Sequence, residues 1–367
     1  MTDPRTQKLA QILVNHSARI QPGDRIAIEA TTAAELLVRE LYIEVLKQGG
    51  HPHLLLEFPG QAKELFTFGS DKQLSFVNEL RNFAYEDFES RIRIHSLTDT
   101  RALSEFSPEK QSHYQKASAP ITATQMERGA RGDFKWVTTL FPTSAYAKEA
   151  GMSLSEYEDF VYHACHADEE DPIAYWESIK QEQAQAVNAF NGHKSVKLNG
   201  PNIDLTLSID GRTFLNSYGI HNMPDGEVYT GPVENSANGW VRYTYPAIYS
   251  GVIVKGIELT FKDGRVVQAS AEENEAFLHR MLDSDAGSRY LGEFAVGTNF
   301  QIDRFTGNIL FDEKIGGTIH AALGAGYPET GSVNKSMIHW DMICDMRSDS
   351  EIQVDGETVY KDGDFVF

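Results

Sequence analysis

The sequence predicts a two-part α/β chain. Its N-terminal domain, 1–190, is expected to be α/β with a mostly parallel sheet. Its C-terminal domain, 191–367, is expected to be α+β with a mixed or antiparallel sheet that carries a metal site. Three observations support this. Strand-like and helix-like segments alternate through the first half, as they do when helices cover the faces of a parallel sheet. Short β-prone segments with turn residues between them crowd the second half. The chain has 367 residues, enough for two domains. The boundary is placed near 190, at Asn191-Gly192-His193-Lys194-Ser195, where the pattern changes.

The elements follow in chain order. Residues 24–30 (DRIAIEA) read as a strand and 32–50 as a helix, with Leu36, Leu37, Leu41 and Val45 near helical spacing and Gly49-Gly50 as the stop. A second strand is expected at 51–58, and further ones at 91–97 and 133–141. Connections between such parallel strands are right-handed. Ser153 with Glu156 three residues on is a capping-box pattern, so a helix is expected over 153–167, and a longer one over 171–190. Beyond the boundary come the segments SVKLNG, DLTLSIDG, EVYTGP and GWVRYTYP. In 258–272, Asp263-Gly264 between two β-prone runs predicts a hairpin. A helix is expected over roughly 273–289, a strand over 337–345, and strand–turn signals close the chain.

Composition excludes some functions. Hydrophobic residues make up 41% and charged residues 23%, as in an ordinary soluble domain. The formal net charge of −20 argues against a nucleic-acid partner, because phosphate contacts need clustered Lys and Arg. No apolar run reaches the length of a membrane helix, and the N-terminus lacks a signal-peptide pattern. Only two cysteines occur, Cys165 and Cys344, without C-x-x-C spacing, so a disulfide framework is not expected and a cytoplasmic location is.

Several residues are candidates for chemistry. In Met337-Ile338-His339-Trp340-Asp341-Met342, strand alternation puts His339 and Asp341 on one face, about 6–7 Å apart, and Ile338, Trp340 and Met342 on the other. A solvated His–Asp pair is the plain alternative to metal binding. His320 lies in a glycine-rich stretch (DEKIGGTIHAALGAGYPETG), where the plain reading is a packed or exposed histidine in a short helical segment. Tyr327, seven residues on, can orient a substrate or merely pack. Glu227 follows the turn Pro224-Asp225-Gly226. Glu293 interrupts an apolar strand, where a lone carboxylate is costly unless it faces water or a cation. Three carboxylates and two imidazoles suit one or two divalent ions such as Zn²⁺, Co²⁺ or Mn²⁺. Their spacing alone does not establish that they converge, and no H-E-x-x-H, G-x-S-x-G or Walker A motif is present.

Nearly the whole chain resembles the M29 metallopeptidases, the thermophilic aminopeptidase T group. The resemblance is clearest at 222–239 (NMPDGEVYTGPVENSANG), 258–272, 288–297 (SRYLGEFAVG), 310–331 (LFDEKIGGTIHAALGAGYPETG) and 336–345 (SMIHWDMICD), with support at 138–153 and 159–177. It implies two metal ions in the C-terminal domain. It also implies Glu227, Glu293, His320, His339 and Asp341 as ligands, Tyr327 as the family's tyrosine, and a homodimer. The activity implied is release of N-terminal amino acids from short peptides by a two-metal activated water, with Glu227 or Asp341 bridging. Glu293 would be a ligand or proton relay, and Tyr327 a donor to the oxyanion.

Two alternatives stand beside this reading. His320, His339 and Asp341 can be read as the facial triad of a mononuclear Fe(II) ring-cleaving dioxygenase, which does not need Glu227 and Glu293. The chain can also be a non-catalytic peptide- or metal-binding protein. His163 and His166 flank Cys165 on an expected helix, but their spacing matches no known zinc motif, and packing is the expected role.

Overall fold

The computed structural model describes residues 3–366, and these form two compact units. One runs to Trp176 and also takes Gly219–Pro224; the other holds Glu177–Tyr218 and the chain from Asp225 onward. The division falls inside the helix Pro172–Phe190, between Trp176 and Glu177.

The first unit is built on a parallel sheet. Its strands β1 (Arg25–Thr31), β2 (His51–Glu57), β3 (Ser90–His95) and β4 (Lys135–Leu140) lie in the order β2-β1-β3-β4, and the short strand Asn222–Met223 adds at the far edge. The interior of β1 is buried on both faces, which is why it reads as a continuous apolar run. Helix α1 (Glu35–Lys47) buries Leu37, Val38, Leu41 and Val45, whereas Leu36, expected in the buried stripe, is exposed. Helices α2 (Glu79–Asp87) and α3 (Pro108–Ala130) belong to an apolar cluster on the other face, with Ala27, Ala84, Tyr85, Phe88, Ile121 and Phe134. Neither helix was expected from the sequence. In α3, Pro120 sits inside the helix and polar residues interrupt every apolar stripe.

The second unit contains two larger antiparallel sheets among its described residues. One is eight-stranded, in the order 265–270, 258–262, 238–242, 203–208, 195–200, 351–354, 357–361 and 364–365. The expected hairpin is present, and Asp263 and Gly264 both have positive φ, 49° and 81°, as a type I′ turn requires. The other sheet is five-stranded. It is formed by β5 (Leu215–Ser217), β6 (Glu227–Thr230), β7 (Leu291–Gly297), β8 (Thr318–Gly324) and β9 (His339–Asp345), in the order β9-β8-β7-β6-β5. Residues of both sheets share one large apolar cluster, to which the five-stranded sheet contributes Val228, Phe294, Val296, Ile319, Leu323, Trp340 and Met342. The helix expected over 273–289 is shorter, Glu275–Leu282.

Candidate metal centre

Alternation sorts the five-stranded sheet into two faces. The residues just named occupy the apolar face. The opposite face carries Glu227 on β6, Glu293 on β7, His320 on β8, and His339 and Asp341 on β9. Register aligns them: Glu293 lies opposite Ala322, which lies opposite Asp341, and His320 lies opposite Ala295. The small side chains of Ala295 and Ala322 leave room above the sheet. A β-bulge between Leu291 and Glu293 re-aims β7, so that Leu291 joins the apolar cluster while Glu293 faces the histidines. Glycine is required at the bulge, because a Cβ on Gly292 would lie 2.2 Å from the Ala325 carbonyl oxygen.

The ligand atoms converge. His320 Nε2 lies 3.4 Å from Glu227 Oε2 and 3.8 Å from Glu293 Oε1. His339 Nε2 lies 3.1 Å from Glu293 Oε2 and 3.3 Å from Asp341 Oδ1. Three overlapping groups have ligand atoms within 4.8 Å of one another: Glu227–Glu293–His320, Glu293–His339–Asp341 and Glu313–His320–Asp341. His339 Nδ1 donates to the Ala325 carbonyl at 2.8 Å, which orients the ring so that Nε2 faces the carboxylates and is the nitrogen a metal would take in place of its proton. Glu227 Oε2 and Asp341 Oδ1 are buried and make no hydrogen bond. Buried carboxylate oxygens left this way are costly, and a cation satisfies them. The donor set of carboxylates and imidazoles therefore fits divalent metal.

Tyr327 stands beside this set, its ring 5.3 Å from that of His339 and 5.6 Å from that of Tyr229. Burial, reinforced by Glu293 and Asp341, pushes its phenol well above the ordinary value, so it keeps its proton. Burial pushes Glu227 up to about 8 against the pull of Lys314. Burial also opposes ionisation of Glu293, but His320 and His339 hold it well below the usual carboxylate range. Burial disfavours the charged form of His320, yet Glu293, Glu227 and Asp341 raise its pKa to about 9.

Three charged neighbours were not singled out from the sequence. Lys314 is fully buried, with Nζ 2.5 Å from both Glu227 Oε1 and Glu313 Oε1 and 3.7 Å from Asp225 Oδ1. Asp225 also accepts from Ser217 Oγ at 2.9 Å. The available signal was the triplet Asp312-Glu313-Lys314 between apolar Ile309-Leu310-Phe311 and Ile315, since charges buried in such a run need partners. His320 lies in mid-strand and not in a short helix. Pairing on both sides overrides the helical preference of Ala321, Ala322 and Leu323. The other histidine group does not converge: His163 pairs with Asp168 at 2.7 Å, His166 stacks on Tyr175 at 3.9 Å, and Cys165 is buried.

A sheet face of buried carboxylates and imidazoles beside an alternating apolar face defines a metal-dependent protein. The model of the thermophilic metalloprotease (M29) family matches residues 2–365, and the chain belongs to that family of metal-dependent peptide hydrolases. Among curated relatives, Aminopeptidase 2 of Geobacillus stearothermophilus is 28% identical, over 97% of this chain and 94% of its own. Aminopeptidase T of Thermus thermophilus is also 28% identical, over 97% and 95%. Aminopeptidase AmpS of Bacillus subtilis is 25% identical over the full length of both chains. The solved structure of wild-type AmpT from Thermus thermophilus shares the fold, with a TM-score of 0.86, 23% identity and 99% coverage of each chain.

Proposed function

We propose that this chain is an aminopeptidase that releases N-terminal residues from short peptides and holds two divalent cations, Zn²⁺, Co²⁺ or Mn²⁺. The observation that carries the two-ion reading is the overlap of the three ligand groups. Glu293 directs one oxygen at each imidazole and belongs to two groups, as do Asp341 and His320. Sharing between neighbouring ions would fall more naturally on Asp341 than on Glu227, which belongs to one group, and would leave Glu293 for proton transfer. Charge points the same way. Asp225, Glu227 and Glu313 face one buried ammonium, Lys314, while Glu293 and Asp341 face only imidazoles, and the excess of carboxylates suits divalent ions. His320 and His339 fall in different groups, which argues against a single-iron facial triad.

Divalent ions in such a site supply Lewis acidity, acidifying water and polarising the scissile carbonyl. The chain's own groups do the rest. Lys314 holds Glu227 and Glu313 in place. Glu293 is the carboxylate positioned to take the water's proton and pass it to the leaving amine. The protonated Tyr327 donates a hydrogen bond to the developing oxyanion.

The names of the matched relatives support the aminopeptidase reading. Two buried, unpaired cysteines fit a cytoplasmic location, and no helix among the described residues is long and apolar enough to cross a membrane. A homodimer is supported by exposed apolar side chains on α1 and the edge strand β2, including Leu36, Ile43, Leu46, Leu54 and Leu56. The deciding experiment hydrolyses one short peptide, with free and with acetylated N-terminus, using metal-stripped protein reloaded with Zn²⁺, Co²⁺, Mn²⁺ or Fe²⁺. Cleavage of the free form alone, from its N-terminus, is the expected result. Equal cleavage of both forms defeats the aminopeptidase assignment.

A further inference from the structure

The first unit contains a second concentration of charge, of opposite sign. Strand order β2-β1-β3-β4 places a topological switch between β1 and β3, because the chain leaves β1 for β2 on one side and returns to β3 on the other. In open α/β sheets, ligands bind outside the carboxyl ends of the strands at such a point. Glu29 and Arg93 are register partners within the strands that flank it, and Arg91 and His95 share the face of Arg93, with His95 at the carboxyl end of β3.

Three arginines surround one carboxylate. Arg81 holds Glu29 with Nε at 3.0 Å and Nη2 at 3.1 Å, and Arg93 reaches Glu29 Oε2 at 2.8 Å and the Tyr85 hydroxyl at 2.6 Å. Arg91 is 2% exposed and bonds only neutral oxygens: Gln125 Oε1, the Val137 carbonyl and Thr138 Oγ1. Glu57 is the other acid on this face, at the end of β2, and it makes no ion pair with the three among the described residues. Arg91 shares Glu29 with two other arginines and touches no carboxylate directly, an excess of positive charge that is costly when buried and stands out in a chain of net charge −20. Solvent reaches the cluster: the side chains of Arg81 and Arg93 are 28% and 30% exposed, and His95 keeps solvent-accessible surface at the end of β3 although protein packed around it desolvates its imidazole.

We propose that this switch point binds a small carboxylate anion, held by Arg91 and Arg93 beside His95. Carboxylate is favoured over phosphate for two reasons. The cluster already grips a carboxylate, Glu29, with the two-pronged geometry that guanidinium groups give that ion. The connection after β1, Thr31-Thr32-Ala33-Ala34, has no glycine to form the backbone cradle that phosphate sites use. Burial, together with Arg93 and Arg91, draws the His95 pKa down to about 4, which reports the positive field an anion would meet.

The test follows the imidazole resonance of His95, identified by its loss in His95→Gln, in the metal-loaded full-length protein titrated with acetate at constant ionic strength. Acetate taken up at the metal centre would not move this resonance. A saturable shift is expected. Glu29→Gln removes the competing carboxylate and should tighten binding by roughly tenfold, whereas Arg93→Gln should weaken it by roughly tenfold. A purely structural role for the arginines would not shift affinity in opposite directions. Should Arg93→Gln fail to fold, Glu29→Gln alone decides. No saturation with acetate, or unchanged affinity in Glu29→Gln, overturns the site. Saturation by inorganic phosphate but not by acetate overturns the carboxylate assignment.

Discussion

The two units bury ionisable groups on opposite terms. In the parallel-sheet unit, Arg81, Arg91 and Arg93 surround Glu29, and nearly every contact is a formed hydrogen bond. In the antiparallel unit, three carboxylates crowd the Lys314 ammonium and Glu227, Glu293 and Asp341 crowd two imidazoles, and the buried oxygens Glu227 Oε2 and Asp341 Oδ1 have no hydrogen bond. The first cluster satisfies its hydrogen bonds but keeps an excess of positive charge, while the second leaves buried acceptor oxygens that a cation would satisfy. The lesson is that unsatisfied buried oxygens mark a metal-binding cluster better than the number of charges does.

The largest effect should come from removing what the acidic cluster lacks. Stripping metal, or replacing Asp341 by Ala, is expected to lower peptide hydrolysis by about 10³-fold or more. Returning metal to the stripped wild type at about a thousand times its Kd should add about 4 kcal/mol of stability. Hydrolysis assays with calorimetric melting would read both. Full activity of Asp341→Ala at normal metal content would break the comparison.

Next in size is Lys314→Met. It removes the ammonium from three carboxylates and leaves buried negative charge uncompensated, a loss of about 3–5 kcal/mol in urea unfolding. The matching change in the first unit, Arg91→Met, leaves only neutral oxygens unpaired and should cost about 1–3 kcal/mol. If Arg91→Met proved the more destabilising of the two, the two clusters would not differ as described.

These contrasts show what was legible in the sequence. The alternating His339 and Asp341 and the lone Glu293 in an apolar strand were visible because strand period exposes a polar residue on a buried face. The parallel half was visible through its alternation of strands and helices, and the antiparallel half through short β-prone segments separated by turn residues. Lys314 and Glu313 were not, since a charged triplet before a glycine pair reads as solvated turn until its burial is known. The bulge at Gly292 was hidden too: simple alternation would have put Leu291 and Glu293 on the same face. Helix α3 escaped because Pro120 and scattered polar residues blur its period. The arginine cluster was dispersed over β3 and α2, and only the switch in strand order brings it together.

The smallest effect is a pair of opposed titrations. In metal-free protein, His320 is held protonated by its carboxylates up to about 9, and His95 is held neutral by burial and its arginines down to about 4. The ordinary histidine value is 6.5. His320, with its folded pKa raised, contributes stability that is full below 6.5 and is lost as pH rises through about 9. His95, with its folded pKa lowered, binds its proton more readily in the unfolded chain, so stability falls as pH drops from 6.5 toward about 4. Solvent at the His95 ring screens its arginines, so its stability term should be the weaker of the two. Imidazole NMR of metal-free wild type, with His320→Asn and His95→Asn for assignment, should show the two midpoints on opposite sides of 6.5. Metal should abolish the His320 titration, because a coordinated Nε2 cannot take a proton, and leave that of His95 unchanged. Midpoints on the same side would mean that the two units do not impose opposite fields on their histidines.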